Sequence, residues 1–425
     1  MGPGEDIGDN AFSQARRALL FGGVAGALAA GKAAAQSPAH APAPAAGAEP
    51  LRTVNRNGFE TILIPTYSDD IMRVTNLHEF EDIGKTKVSQ LAYDYIRAGA
   101  ADDLTLKANR EAFGDYWIRR RIMTDCSRVD CSIELFGQKY EHPVMLGPVG
   151  LRRLMHPDGD RLTALAAHQS KAILVGARIP VIKELAKQGT APVWWASSLG
   201  YANQAQAEEW VARNTEAGAS ALCISMDYPY TGARDLPSRH HWESQWSEKP
   251  EYNTPDGPVT FQAGMIFPYF PAMRWEWLSW VRNASKLPLI VKGITNGDDA
   301  IKAVKAGADA ISVSNHGGRT LDGAISTLHA LPEVVDAVGS KVPVIMDGGV
   351  RRGGDVLKAT ALGATAVIIG RPYLWALASF GQEGVQRCIE VLQGETRIAL
   401  GLSGAGTFDK VDRSLIRPAW KARTA

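Results

Sequence analysis

The sequence predicts an α/β fold: a TIM (β/α)8 barrel with an N-terminal helical extension and a long insertion after strand four. Three observations carry this expectation. Short apolar runs alternate with helical patterns over most of the 425-residue chain, as in parallel strands joined by crossover helices. The alternation repeats eight times, the number that closes a barrel. Several runs end abruptly in glycines beside charged residues, where a barrel carries its working groups.

The first 35 residues stand apart. Arg16-Arg17 precede a short, glycine-rich, mildly hydrophobic run at 18–30; Lys32 and the A-x-A motif Ala33-Ala34-Ala35 follow. This is the layout of a twin-arginine signal peptide over 1–35; a chance Arg pair in an N-terminal tail is the alternative. The run is too short to span a bilayer. Residues 36–75 read as a linker and lead-in segment, with 36–50 rich in Ala and Pro and expected to be disordered. One domain is expected over 76–425.

Within it, Leu77, Phe80, Ile83, Val88, Leu91 and Ile96 recur at helical spacing, so 76–120 reads as helical, broken at Ala98-Gly99-Ala100-Ala101. Strands are expected at 143–147, 172–175, 192–196, 221–226, 287–291, 310–313, 342–346 and 366–369. Helical patterns fall between them at 158–170, 179–188, 203–217, 274–283, 297–306, 326–338 and 352–362. Residues 228–273, rich in Trp, His, Pro and Tyr, exceed any ordinary barrel loop and read as a lid, a membrane contact or a partner surface.

The formal charge of +1 implies no polyanion partner, so no nucleic-acid partner is expected. Cys126 and Cys131 are close enough in sequence to form a bridge in an exported protein. Cys223 sits in an apolar strand and Cys388 in a late helical pattern. No cysteine has zinc-ligand spacing, and no metal is expected.

The most informative stretch is Ser314-Asn315-His316-Gly317-Gly318-Arg319, directly after strand six. A base that titrates near neutrality stands three residues from a planar cation that suits carboxylates. Chemistry on the α-carbon of a carboxylic acid needs such a pair. An isolated H-G-G-R also fits a polar turn with a capping His and a surface Arg. After strand seven comes Asp347-Gly348-Gly349-Val350-Arg351-Arg352-Gly353, and after strand eight Gly370-Arg371-Pro372. Glycines and arginines there mark a phosphate site, a recurring feature of barrels. Lys292 ends strand five beside a glycine, a position that rarely serves packing, though a solvated surface lysine is the plainer reading.

The stretch from Ser314 to Gly323 closely resembles the signature of the FMN-dependent 2-hydroxy acid dehydrogenases and oxidases, with Thr320 in place of the usual Gln. The resemblance runs from about Asn76 to Leu402. It implies FMN as the cofactor and oxidation of a 2-hydroxy acid to a 2-keto acid. It implies His316 as base, Asp227 pairing with it, and Lys292 at the flavin edge. Tyr95 and Arg319 would hold the substrate carboxylate, with Arg234 a second positive group over the substrate; a buried helix tyrosine and a surface arginine are the plain alternatives for Tyr95 and Arg234, and a turn or cap residue for Asp227. Pro148, Val149, Gly150, Ser225, Ser314, Asp347, Gly348, Gly349, Arg351, Gly370 and Arg371 would line the flavin site. Electrons would pass to oxygen, a quinone or a cytochrome. The resemblance also implies a homo-oligomer, a tetramer. With the twin-arginine segment it predicts a periplasmic enzyme loaded with flavin before transport; a cytoplasmic one is the alternative.

Some positions depart from the family pattern. Gly176-Ala177-Arg178 stands where a serine pair is usual, and Ala196-Ser197-Ser198 where Q-x-Y is usual. Ser225 replaces a threonine. These changes put the substrate in question more than the reaction. A flavin barrel acting on a bulkier or non-acid alcohol, or a non-catalytic periplasmic flavin-binding protein, are the competing expectations.

Overall fold

The computed structural model describes residues 52–56, 59–63, 67–236 and 273–419. The expected signal segment at 1–35, the first part of the linker and insertion residues 237–272 lie outside the described residues.

Eight parallel strands close a barrel: β1 (Val144–Leu146), β2 (Leu174–Val175), β3 (Trp194–Ser198), β4 (Ala221–Ser225), β5 (Leu289–Ile294), β6 (Ala310–Val313), β7 (Val344–Asp347) and β8 (Ala366–Ile369), with β8 pairing β1. Helices α1 (Gly159–Gln169), α2 (Ile179–Lys187), α3 (Gln204–Glu216), α4 (Glu276–Ala284), α5 (Gly297–Lys305), α6 (Thr327–Val338) and α7 (Gly353–Ala361) follow the first seven strands in turn. The sequence pattern placed each within two residues. The eighth helix, α8 (Arg371–Leu402), had no predicted bounds. It is broken at Phe380 and Gly381, and Tyr373, Leu374, Trp375, Ala376 and Leu377 are all buried. These first turns are covered on every side and so show no apolar stripe.

The strands read as continuous apolar runs because both faces are buried. Side chains alternate in direction along each strand. Leu146, Leu174, Trp194, Leu222, Val291, Ile311, Met346 and Val367 belong to the layer packed on the helices. Met145, Ile173, Val175, Trp195, Cys223, Ile290, Ala310, Ile345 and Ile368 fill the interior. A hairpin, Ile133–Leu135 paired with Gln138–Tyr140, adds Ile133 and Leu135 to that interior cluster. The barrel is therefore packed, and chemistry is confined to its C-terminal rim.

Among the described residues four helices precede the barrel, Asp69–Met72, Glu79–Lys85, Gln90–Arg97 and Leu104–Glu111. Residues 116–118, expected to be helical, instead form a strand antiparallel to Ile416–Pro418. Its partner lies almost 300 residues away, so local spacing gave no hint of it. A Cβ on Gly84 would lie 2.9 Å from the Trp375 carbonyl oxygen, so a glycine lets helix 79–85 sit directly on α8. No disulfide joins Cys126 to Cys131; Cys223 and Cys388 are buried thiols.

Tyr67 donates a 2.6 Å hydrogen bond to Glu390 on α8, tying the lead-in segment to the domain. Glu390 is buried. Burial pushes its carboxyl from an ordinary 4.5 up to about 7, against the opposing pull of Tyr67 and Arg387. A carboxyl raised on folding stabilises the protein while protonated, and that contribution is lost as pH rises through the folded value. The loss is on the order of 3 kcal/mol between about pH 4.5 and pH 7. The expected result is a melting temperature that falls across that window in the wild type and stays flatter in Glu390→Gln, measured by thermal unfolding in matched buffers.

Candidate active site

Strand alternation, carried one step past the apolar interior, turns polar residues inward at the rim. Lys292 follows Ile290, Asp347 follows Ile345, Ser225 follows Cys223, and Ser314 lies two places after Ser312. Lys292 is buried, and its Nζ donates to Ser314 Oγ at 2.7 Å and pairs with Asp347 Oδ2 at 3.1 Å. Ser314 Oγ in turn donates to Asp347 Oδ1 at 2.8 Å. Burial works against the ammonium charge, but Asp347 and Asp227 outweigh it and hold Lys292 above its usual range. Lys292 is thus a fixed cation, not a solvated surface lysine. Strand β5 runs on past it to Ile294, and the register shifts between Lys292 and Ile294. Gly293 is the bulged residue, at φ 104°, and a Cβ there would lie 2.5 Å from Asp227 Cβ.

The loop after β6 is shaped by contacts on both sides. His316 (φ 58°), Gly317 (φ 68°) and Gly318 (φ 72°) are successive left-handed residues. A Cβ on Gly318 would lie 2.6 Å from Leu106 N, so this glycine is where helix 104–111 docks. Asn315 and Asn109 exchange 2.8 Å side-chain hydrogen bonds, and Asn315 Oδ1 accepts from Gly318 N. Asp322 accepts from Asp102 N and Thr105 N at the start of the same helix. His316 Nδ1 lies 3.1 Å from Asp227 Oδ1. Burial disfavours charge on Asp227, but His316 and Lys292 override it and lower its carboxyl. The pairing expected from resemblance is present.

Beside the pair stands a cationic group. The guanidinium carbons of Arg234 and Arg319 lie 5.3 and 5.0 Å from the Tyr95 ring centroid. Arg319 Nη1 donates to the carbonyls of Tyr95, Ile96 and Ala98. Burial and Arg234 push Arg319 down to about 10. Burial raises the Tyr95 phenol, but the two arginines more than reverse this. Arg371 is lowered well below the ordinary range by burial, Arg319 and Arg351. Cations so depressed are electrostatically unsatisfied, and an anion among them would be strongly favoured.

A cavity of about 420 Å³ joins these groups to the ends of β1, β7 and β8. Pro148, Val149, Gly150, Lys292, His316, Arg319 and Tyr95 line it, with Asp347, Gly348, Gly349, Arg351, Gly370 and Arg371 toward the other end. Ser225, Ser314, Asp227 and Arg234 are not in its wall; Ser314 acts on the wall through Lys292, and Asp227 through His316. The N-terminus of α8 has no side-chain cap at Gly370, leaving backbone N–H groups for an anion. A cavity with a buried cation at one end and arginines with an uncapped helix at the other fits a flavin mononucleotide.

Two parts of this wall also make contacts away from the cavity. Arg371, expected to add charge-assisted bonds to the phosphate, donates from Nε, Nη1 and Nη2 to the Ile96, Gly317 and Ala98 carbonyls, two of which lie at the terminus of helix 90–97. It still borders the cavity. Gly348 and Gly349, expected to expose backbone N–H groups to a phosphate, also meet a steric demand. They adopt φ 99° and 82°, and a Cβ on Gly349 would lie 1.9 Å from Asn109 O. Helix 104–111 leaves no room for a side chain at Gly349, and at Gly348 a Cβ would lie 2.5 Å from Thr327 Oγ1 at the start of α6.

The departures are also resolved. Ser198 Oγ bonds within its own turn, to Gly200. Tyr201, the nearest following phenol, is buried between Trp210 and Trp277 in the helix layer, so it does not stand in for the missing Q-x-Y tyrosine. Sequence reasoning missed Asn109, Asp322 and Tyr228. Asp322 was inside the quoted motif. Tyr228 adjoins Asp227, and its ring lies 4.9 Å from that of His316. Nothing local marks Asn109.

Similar proteins agree with this geometry. The FMN-dependent dehydrogenase family matches residues 84–418. An L-lactate oxidase from Nostoc sp. is 38% identical over 358 residues, 80% of this chain and 97% of the relative. The 2-hydroxyacid oxidase 1 of Homo sapiens is 36% identical over 361 residues, 81% of this chain and 97% of its own. A crystal structure of mandelate oxidase with (S)-2-phenylpropionate superposes with a TM-score of 0.71 at 32% identity, covering 81% of this chain and 98% of that one. On fold, site and sequence together, this chain belongs to the FMN-dependent dehydrogenase family.

Proposed function

We propose that this chain oxidises a 2-hydroxy acid to the corresponding 2-keto acid, with FMN as its cofactor. One observation carries the reading: the His316–Asp227 pair, the buried Lys292 and the guanidinium of Arg319 meet around a single cavity. The lactate, 2-hydroxyacid and mandelate oxidases among its relatives supply the substrate class.

When bound, FMN supplies the two-electron acceptor. Arg351, Gly348, Gly349, Gly370 and Arg371 would hold its phosphate end, and Pro148, Val149 and Gly150 its ring end, with Ser314 acting through Lys292. Lys292, kept in place by Asp347, offers a fixed positive charge to the electron-rich reduced cofactor. Arg319, Arg234 and Tyr95 anchor the substrate carboxylate. His316 takes the proton that leaves the substrate, and Asp227 orients the imidazole and stabilises its protonated form.

The test is an anaerobic titration of the FMN-loaded protein with glycolate, lactate, mandelate and longer 2-hydroxy acids, both enantiomers, following flavin absorbance. Bleaching by one acid supports the reading; bound FMN that none of them bleaches overturns it. Oxygen is the favoured acceptor, since the relatives are oxidases. Fast recovery of absorbance on admitting air supports oxygen, and negligible recovery supports a quinone or a cytochrome. Export to the periplasm rests on the Arg16-Arg17 layout; cell fractionation of an Arg16→Lys/Arg17→Lys variant tests it. A homo-tetramer follows from family analogy, and its mass in solution decides.

A further inference from the structure

We infer that Tyr228 is a positioning residue for this reaction, its hydroxyl fixing Arg234 and its ring fixing His316. The inference goes beyond the signature residues and rests on the 2-hydroxy acid reading for its substrate. Tyr228 immediately follows Asp227 and is buried. Its ring centroid lies 4.9 Å from the imidazole, tilted by 34°. Its hydroxyl oxygen accepts a 2.7 Å hydrogen bond from Arg234 Nη2. Arg234 in turn stands on the Tyr95 ring that Arg319 also faces. One side chain therefore connects the proton-transfer pair to the carboxylate anchors.

The choice of a phenol has a physical reason. A carboxylate bonded to Arg234 would hold it equally well but would neutralise it. Burial raises the Tyr228 phenol despite the opposing charges of Arg234 and Arg319, so the group stays neutral. A neutral acceptor fixes the guanidinium and leaves its positive charge for an incoming anion. Stacking does a second task. His316 is a left-handed residue on a glycine loop, held through one nitrogen by Asp227. A ring against its face stops the imidazole from swinging about that bond. The tyrosine usual after β3 is absent, and Tyr201 faces the helix layer. In this chain the second phenol of the site has moved to the end of β4.

Two variants of the FMN-loaded enzyme separate the two tasks. Tyr228→Phe keeps the ring and removes the hydroxyl; Tyr228→Leu removes both. Two quantities are read: the Kd of oxalate, from its perturbation of the flavin spectrum, and the limiting anaerobic bleaching rate with the best 2-hydroxy acid. Tyr228→Phe is expected to weaken oxalate about tenfold, the worth of a hydrogen bond to a charged group, with the limiting rate within about twofold of wild type. Tyr228→Leu should weaken oxalate similarly and slow the limiting rate by about tenfold or more. An oxalate Kd unchanged in Tyr228→Phe, or an undiminished rate in Tyr228→Leu, overturns the inference. Oxalate affinity does not depend on turnover. A wild type that binds oxalate but is bleached by no hydroxy acid would sink the proposed reaction, while the Arg234 half of the inference would still be decided by Tyr228→Phe.

Discussion

Replacing His316 with asparagine is expected to slow anaerobic bleaching of the bound flavin by a 2-hydroxy acid about 10³-fold, within the range for loss of a general base. Asparagine is the right replacement because His316 sits at φ 58°. Asparagine tolerates the left-handed region better than alanine, and its amide can still donate to Asp227. The loop should keep its shape, since Asn315 and Arg319 hold it through Asn109 and the 95–98 carbonyls. Flavin content and oxalate affinity should therefore stay near wild type while the bleaching rate collapses. Single-turnover stopped-flow absorbance makes the measurement. A variant that is reduced as fast as wild type would remove His316 from the mechanism altogether. Asp227→Asn should cost less, because it removes the stabilisation of the protonated imidazole and leaves the base in place.

What the sequence made legible, and what it hid, follows from the range of the interactions. The barrel strands showed because parallel strands buried on both faces become unbroken apolar runs. The rim residues Lys292, Ser314 and Asp347 showed because a polar side chain at the end of such a run has no packing reason to be there. Tyr228 was passed over although it adjoins Asp227: an aromatic beside an apolar strand reads as packing, and only the fold reveals His316 and Arg234 around it. Asn109 was out of reach for another reason. Its partner Asn315 is 206 residues away, and an asparagine in the middle of a helix carries no local signal. The same distance effect hid a second reason for the glycines. Gly318, Gly348 and Gly349 read in sequence as glycines for a turn or a ligand, yet helix 104–111 forbids a Cβ at Gly318 and Gly349, and Thr327 at the start of α6 forbids one at Gly348. The lead-in helices thus shape the catalytic loop and the phosphate loop together. A motif that looks self-contained along the chain is half of a contact whose other half lies far upstream.

Lys292→Met is expected to have the second large effect, and it shows why the buried ion pair is retained. Methionine matches the aliphatic length of lysine, so the substitution mainly removes charge. Asp347 and Ser314 then lose their cation in a site that is nearly closed to solvent. Leaving a buried carboxylate unpaired costs about 3–5 kcal/mol, so the variant should unfold at a clearly lower denaturant concentration. The bleaching rate should also fall about 10³-fold, because a charge interaction of that size would be lost where negative charge accumulates during reduction. The two losses have separate origins and can be pulled apart. In Lys292→Met/Asp347→Asn the orphaned carboxylate is gone, so most of the stability should return. The rate should not, since no cation has been restored. A double variant that recovered both would make Lys292 a structural residue. One that recovers stability alone fits a lysine held in place by Asp347 but kept for its charge. The pair then resolves an apparent conflict at the rim. A buried lysine is expensive to fold around, and an acidic partner offsets that cost without pulling the charge away from the cavity it faces.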